Sequence, residues 1–92
     1  MSADASDPDW GAVGYVRAST YRTRVVDALT DGPATPTTLG DRTGLHISHV
    51  SRTLTDLEDH DIVELLVPDD RKKGRIYGLT DAGEAIAVEV EG

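Results

Sequence analysis

Residues Thr35 to Leu57, TPTTLGDRTGLHISHVSRTLTDL, decide how this chain folds. Thr35 carries the short hydroxyl that suits a helix N-cap, and Pro36 suits the first helical position, where no N–H is needed. A short helix to about Thr43 follows, stopped by Gly44, the residue type most at ease in the left-handed conformation of a helix end. A longer helix is expected from about Ile47 to His60, with Val50, Leu54 and Leu57 at i, i+4 and i+7 as its apolar stripe. Leu39 and Leu45 are placed to pack beneath it. Two helices joined by the tight turn Thr43-Gly44-Leu45-His46 are the parts of a helix-turn-helix.

Outward from this stretch the pattern continues on both sides. Val25, Val26 and Leu29 fit a helix from about Tyr21 to Thr30 with Tyr21 on the same stripe, capped by Ser19 or Thr20 and ended by Asp31-Gly32-Pro33. The sequence leaves open whether Ala12–Ala18 continues that helix or forms a separate turn. Residues 1–12 read as an acidic leader and 13–92 as one domain. Downstream, Ile62 to Val67 switches to a strand pattern, Pro68 to Gly74 is a polar turn, and Arg75 to Leu79 is a second strand, so the pair forms a hairpin. Thr80 caps a last helix from about Asp81 to Glu89, with Ala82, Ala85, Ile86 and Val90 as its apolar side. The expected order is helix, helix, helix, strand, strand, helix, an α+β class.

Composition narrows the function classes. The 92 residues suit one domain; 38% hydrophobic and 28% charged residues mark a globular chain rather than a disordered one. There is no Phe and there are four aromatics, so the core must rest on Val, Leu, Ile and Ala. The absence of Cys excludes disulfides, Cys-ligated zinc and iron–sulfur clusters. No apolar run of about 18 residues exists to span a membrane, and the acidic start lacks the pattern of a secretory signal; a cytoplasmic location is expected. His46 and His49 lie three residues apart, but two ligands do not complete a metal site and His60 is some three turns farther on; cap and surface roles are the plainer reading. No nucleophile–base constellation or phosphate-cradling glycine loop stands out, so neither enzyme activity nor a cofactor is expected.

The net charge of −8 would by itself argue against a polyanionic partner. The kind of charge matters more: 12 of 17 acids are Asp and only two of nine bases are Lys. That bias resembles proteins of halophilic archaea, which work in concentrated KCl. At such salt the Debye length is only about 2–3 Å, and local patches and direct contacts replace net charge as the determinant of association. Two local features then stand out. Opposite the apolar stripe of the longer helix lie Ser48, His49, Ser51 and Arg52, with Thr55 farther along: small polar residues and one Arg near a helix N-terminus, as a helix reading a DNA major groove requires; Ile47, at the start of the same helix, is counted with them as a candidate DNA contact. The hairpin tip, Arg71, Lys72, Lys73 and Arg75, holds four of the nine bases within five residues. The plain alternatives are a solvated helix face and a hairpin tip whose charges blunt a sheet edge. Thr37 and Thr38 could add phosphate contacts; Arg22 and Arg24 could reach flanking phosphates or pair with acids.

The segment Leu39 to Leu57, with Thr43-Gly44-Leu45 and Val50-Ser51-Arg52-Thr53-Leu54, resembles the helix-turn-helix of archaeal and bacterial winged-helix regulators, the ArsR and MarR types nearest. The likeness runs on through Leu57 to Val63 and through Arg75 to Gly83, and back to Tyr21–Leu29, about 65 residues in all. It implies a winged helix-turn-helix that binds double-stranded DNA as a transcriptional regulator, with the longer helix in the major groove and the basic wing on the backbone or in a minor groove. One departure is His46, where the family more often has Ser or Asp; His is a poorer cap. A homodimer is expected, with the last helix, Val13, Val16 and Trp10 as its surface; for Trp10 the alternative is to fold back on its own core. An effector, small molecule or protein, would be a partner or would occupy a small pocket at the dimer interface. The rival reading is a winged helix used as a protein–protein interaction module in a transcription or assembly complex.

Overall fold

Every helix begins where a side chain can accept a backbone N–H. In the computed structural model, which describes residues 9–67 and 75–91, Asp9 Oδ1 accepts from Gly11 (3.0 Å) and Ala12 (3.2 Å) to open α1 (Trp10–Arg17). Ser19 Oγ opens α2 (Thr20–Leu29) through Arg22 N–H. Thr35 Oγ1 accepts from Thr38 N–H (3.1 Å) ahead of α3 (Pro36–Thr43), with Pro36 in the first turn. His46 Nδ1 accepts from Ser48 N–H (3.1 Å) at the start of α4 (Ile47–Asp59). After β1 (Val63–Val67) and β2 (Ile76–Leu79), Thr80 Oγ1 accepts from Gly83 N–H (2.8 Å) and opens α5 (Asp81–Glu91).

The stops are equally local. Gly44 ends α3 with φ of 76°, where a Cβ would be costly. Asp61, with φ of 61°, turns the chain out of α4; Asp is among the few L-residues that tolerate this region. Thr43 Oγ1 donates to Leu39 O (2.7 Å) and accepts from Leu45 N–H (3.1 Å), fixing the α3–α4 turn from inside.

Helix α2 is the hub, packing against α1, α3, α4, α5 and β2. The core joins Val13 and Val16 of α1, Val25, Val26 and Leu29 of α2, Leu39 of α3, Val50, Leu54 and Leu57 of α4, and Ile62, Val63, Tyr77 and Ile86. Full burial of each such side chain contributes roughly 1.5–3 kcal/mol, so a core without Phe depends on many aliphatic contacts. β1 and β2 pair antiparallel, Val63 with Leu79 and Leu65 with Tyr77, with an irregularity between Leu65 and Val67. Ala34 adds an isolated bridge to Tyr77, with both N–H···O bonds at 2.9 Å. That bridge ties the α2–α3 connection to the hairpin, and so fixes the helix-turn-helix relative to the wing.

Several expectations change at the edges. The segment left undecided is a separate helix, and it starts at Trp10, inside the segment expected as leader. Val13 and Val16 are only 2% and 0% exposed, buried by α2 and α5, so neither belongs to a dimer surface. Trp10 does not fold back: it is 62% exposed. On α5 the buried positions are Gly83, Ile86 and Ala87, whereas Ala82 is exposed. Tyr21, expected in the α2 stripe, is 42% exposed because it stands at the helix start, beyond the reach of the core.

Candidate nucleic-acid interface

The exposed side of α4 follows from its buried side. At about 100° per residue, buried Val50, Thr53, Leu54 and Leu57 occupy one sector roughly 100° wide. Ser51, Thr55, Ser48 and Arg52, all exposed, occupy the sector roughly opposite. His49 and Ile47 are also exposed but lie on the two flanks, His49 toward α2 and Ile47 toward α3. The structure thus brings Ile47, Ser48, His49, Ser51 and Arg52 onto one helix end, with Ser48, Ser51 and Arg52 central.

Charge along α4 is polarised. Residues 47–55 include no acid, whereas Asp56, Glu58 and Asp59 crowd the last turns. The positive end of the helix dipole lies at the same N-terminal half, so an anion can approach there and is repelled farther on. Among the described residues Arg52 makes no hydrogen bond or ion pair, and neither does Arg24. Their guanidinium groups keep all their donors for another molecule. Arg22 differs: its Nε donates to Tyr15 O (2.7 Å) and its guanidinium lies 3.9 Å above the Tyr15 ring. It braces α1 against α2 and is not offered for phosphate contact.

On α3, Thr37 is exposed. Thr38 is half-buried and its hydroxyl accepts from Thr35 Oγ1 (3.0 Å), so it serves the cap before any ligand. A shallow hollow lined by Thr37, Gly40, Asp41, Gly44, Leu45 and Ile47 separates α3 from the start of α4. His46 caps α4, with its Nδ1 also 2.8 Å from Ser48 Oγ; a ring nitrogen replaces the expected Ser or Asp oxygen. Arg71, Lys72 and Lys73 lie outside the described residues; Arg75 is exposed just before β2, with Nη1 3.4 Å from the Tyr77 hydroxyl.

One neighbour of this face is missed by periodicity. Tyr21 stacks on His49, with centroids 4.8 Å apart and an interplanar angle of 30°, and His49 meets His46 edge-on at 6.4 Å. The signal that could have found Tyr21 was its place in the first turn of α2, where the core stripe has not begun. Away from this face, a hollow of about 360 Å³ lies between the end of α2, the sheet and α5, lined by Leu29, Pro33, Leu66, Leu79, Glu84 and Val88 among others. None of its lining residues comes from α3 or α4. No described helix is long and apolar enough to cross a membrane.

Comparison with solved structures finds the same arrangement of helices and wing. A MarR family transcriptional regulator from Silicibacter pomeroyi is 26% identical, with a TM-score of 0.71 over 88% of this chain and 54% of that one. YodB from B. subtilis, in its diamide-treated form, is 21% identical, with a TM-score of 0.74 over 89% of this chain and 81% of that one. A cysteine-to-serine mutant of MarR from E. coli, complexed with operator DNA, is 20% identical, with a TM-score of 0.70 over 86% and 60%. The chain spans about half the length of the first structures it matches, 49% and 59%. Comparison with curated protein sequences finds no match. The family described as HVO_A0261 N-terminal domain matches residues 10–92. The chain therefore belongs to the HVO_A0261 N-terminal domain family, with the winged helix-turn-helix fold of MarR-type regulators.

Proposed function

We propose that this domain is a sequence-specific, double-stranded DNA-binding transcriptional regulator, and not an enzyme. The observation that carries this reading is the N-terminal half of α4: exposed Ser48, Ser51 and Arg52 in one sector, Arg52 without a partner among the described residues, and no acid among residues 47–55. Seated in a major groove, Arg52 can bind a guanine bidentately, Ser48 and Ser51 can take base or phosphate contacts, and Ile47 can meet a thymine methyl. The acids of the last turns keep the C-terminal half out of the groove. Thr37 and, less directly, Thr38 supply phosphate contacts from α3. Arg71, Lys72, Lys73 and Arg75 grip the backbone or enter the adjacent minor groove. Binding of operator DNA by the E. coli MarR mutant of the same fold supports the reading.

Two further parts belong to it. The active species is a homodimer held through α1 and α5, which pack on each other and expose Trp10 and Val88, the latter 67% exposed. A two-fold dimer matches half-sites about 34 Å apart. An effector is a partner protein or a small molecule in the 360 Å³ hollow, which falls in the size range of small-molecule sites. The Asp-rich surface points to a halophilic cytoplasm as the working environment. The test is selection of bound fragments from a library of source-genome DNA in about 2 M KCl, a salt at which screened phosphate contacts alone hold little. Enrichment of one shared motif is expected; recovery of fragments without a common motif would refute sequence-specific binding. A protein-interaction module would bind no fragment at all, and would leave Arg52 dispensable.

A further inference from the structure

Tyr21 and His49 come from different helices, yet they stack on the flank where α2 meets α4. Tyr21 is 42% exposed and, among the described residues, its hydroxyl makes no hydrogen bond. A half-exposed tyrosine with a free hydroxyl, its ring set by a stack at 4.8 Å, presents a donor in a fixed place. His49 stacks on Tyr21 and meets His46 at a steep interplanar angle of 79°, and the His46 ring is itself pinned as the α4 cap. Arg24 lies three residues after Tyr21, hence on the same face of α2, exposed and without a partner among the described residues.

A helix seated in a major groove about 12 Å wide turns its outward sector to base edges and its flanks to the strands that wall the groove. His49 is on such a flank, some 60° round the helix from Arg52 by the helical period. Resting on the DNA-binding reading above, we propose that Tyr21, Arg24 and His49 form a phosphate-gripping edge, in which Tyr21 both donates to a backbone phosphate and positions His49. This moves His49 from base reading to backbone contact and adds Tyr21 to the interface. It also explains why an aromatic ring stands exposed in a chain with only four aromatics. A backbone contact carries no sequence information, so it strengthens binding to every duplex alike.

The test is fluorescence anisotropy of the full chain with two labelled duplexes, one from the region upstream of its own coding sequence and one of mixed sequence. The variants are Tyr21→Phe, Tyr21→Ala, His49→Ala, the Tyr21→Ala/His49→Ala pair and Arg52→Ala, each checked for native helix content. Tyr21→Phe keeps the stack and removes the hydroxyl; a loss of about threefold to tenfold is expected, equal on both duplexes, as for one hydrogen bond. Tyr21→Ala should lose more, and adding His49→Ala to it should cost less than His49→Ala alone, because a released ring no longer contributes. If Arg52→Ala weakens the upstream duplex while both Tyr21 variants bind as the native chain does, the edge is refuted and the DNA reading stands. A loss in Tyr21→Phe confined to one duplex would also refute it, since that would be base readout. If the native chain binds neither duplex nor any fragment selected from source-genome DNA, or if Arg52→Ala changes nothing on either duplex, both readings fall together.

Discussion

A single methyl group at Gly83 should unseat the last helix. Gly83 is buried where α5 crosses the α4–β1 connection. A Cβ there would overlap the Ile62 carbonyl oxygen and stand 3.0 Å from the Ile62 carbonyl carbon and 3.3 Å from Leu79 Cδ2. That carbonyl cannot step aside, because it accepts from Thr80 N–H (3.1 Å) and Thr80 Oγ1 (3.2 Å), and Thr80 Oγ1 also donates to Asp61 O (2.7 Å). Relief requires α5 to slide, straining or breaking the Thr80 bonds. Overpacking costs about 1–3 kcal/mol and each lost bond about 1 kcal/mol, against about 1 kcal/mol returned by the better helix propensity of Ala. The net loss is about 3 kcal/mol, which lowers Tm by at least about 12 °C in a domain of this size. Gly14, exposed on α1 with no atom within 4 Å of an added Cβ, is the control. Gly14→Ala should raise stability by about 0.5–1 kcal/mol. Thermal unfolding followed by circular dichroism in one KCl concentration compares the three chains. If Gly83→Ala melts at or above the native temperature, the close approach of α5 to Ile62 is wrong.

Three other outcomes are expected. Thr80→Val removes the hydroxyl that bridges Asp61, Ile62 and Gly83, and should cost about 1–2 kcal/mol in urea unfolding without changing DNA affinity at temperatures where the chain stays folded. His46→Asp replaces a ring-nitrogen cap by a better one that also favours the helix dipole, so stability should rise by about 0.5–1 kcal/mol while affinity for DNA falls, because the new charge faces phosphate. Across a titration from about 0.5 to 3 M KCl, specific binding should show a shallow or reversed salt slope, unlike the steep loss that accompanies counterion release in dilute salt; complete loss near 1–2 M would contradict the halophilic reading.

The helix-turn-helix was legible because its punctuation is local. Thr35, Pro36 and Gly44 act within one turn of themselves, as does Thr80 in capping α5 through Gly83 N–H, and each does in the structure what its residue type allows. Apolar spacing gave Val50, Leu54 and Leu57 for the same reason. The misses share another cause: each depends on what lies across from the residue in space. Val13 and Val16 are helical and apolar in either reading, and only the position of α2 and α5 makes them core instead of surface. Ala82 and Ala87 are alike in sequence, and the side of α5 that α1, α2 and β2 pack against decides which is buried. Tyr21 looked like one more member of a stripe, and its role depends on His49, 28 residues later, a separation no periodic pattern reports. Arg22 and Arg24 were indistinguishable in sequence; the carbonyl and ring of Tyr15 separate them.

The central claim, that the N-terminal half of α4 reads DNA, is tested most directly by equilibrium anisotropy on a duplex selected from the source genome, in about 2 M KCl, comparing the native chain with Arg52→Ala and with a chain carrying Arg71, Lys72, Lys73 and Arg75 all changed to Ala. Saturable binding by the native chain is expected. Arg52→Ala should lose about 1–3 kcal/mol on the selected duplex, and its discrimination against a single-base variant should relax. The wing variant should weaken on every duplex alike. Native-strength binding by Arg52→Ala, with discrimination intact, would contradict the claim.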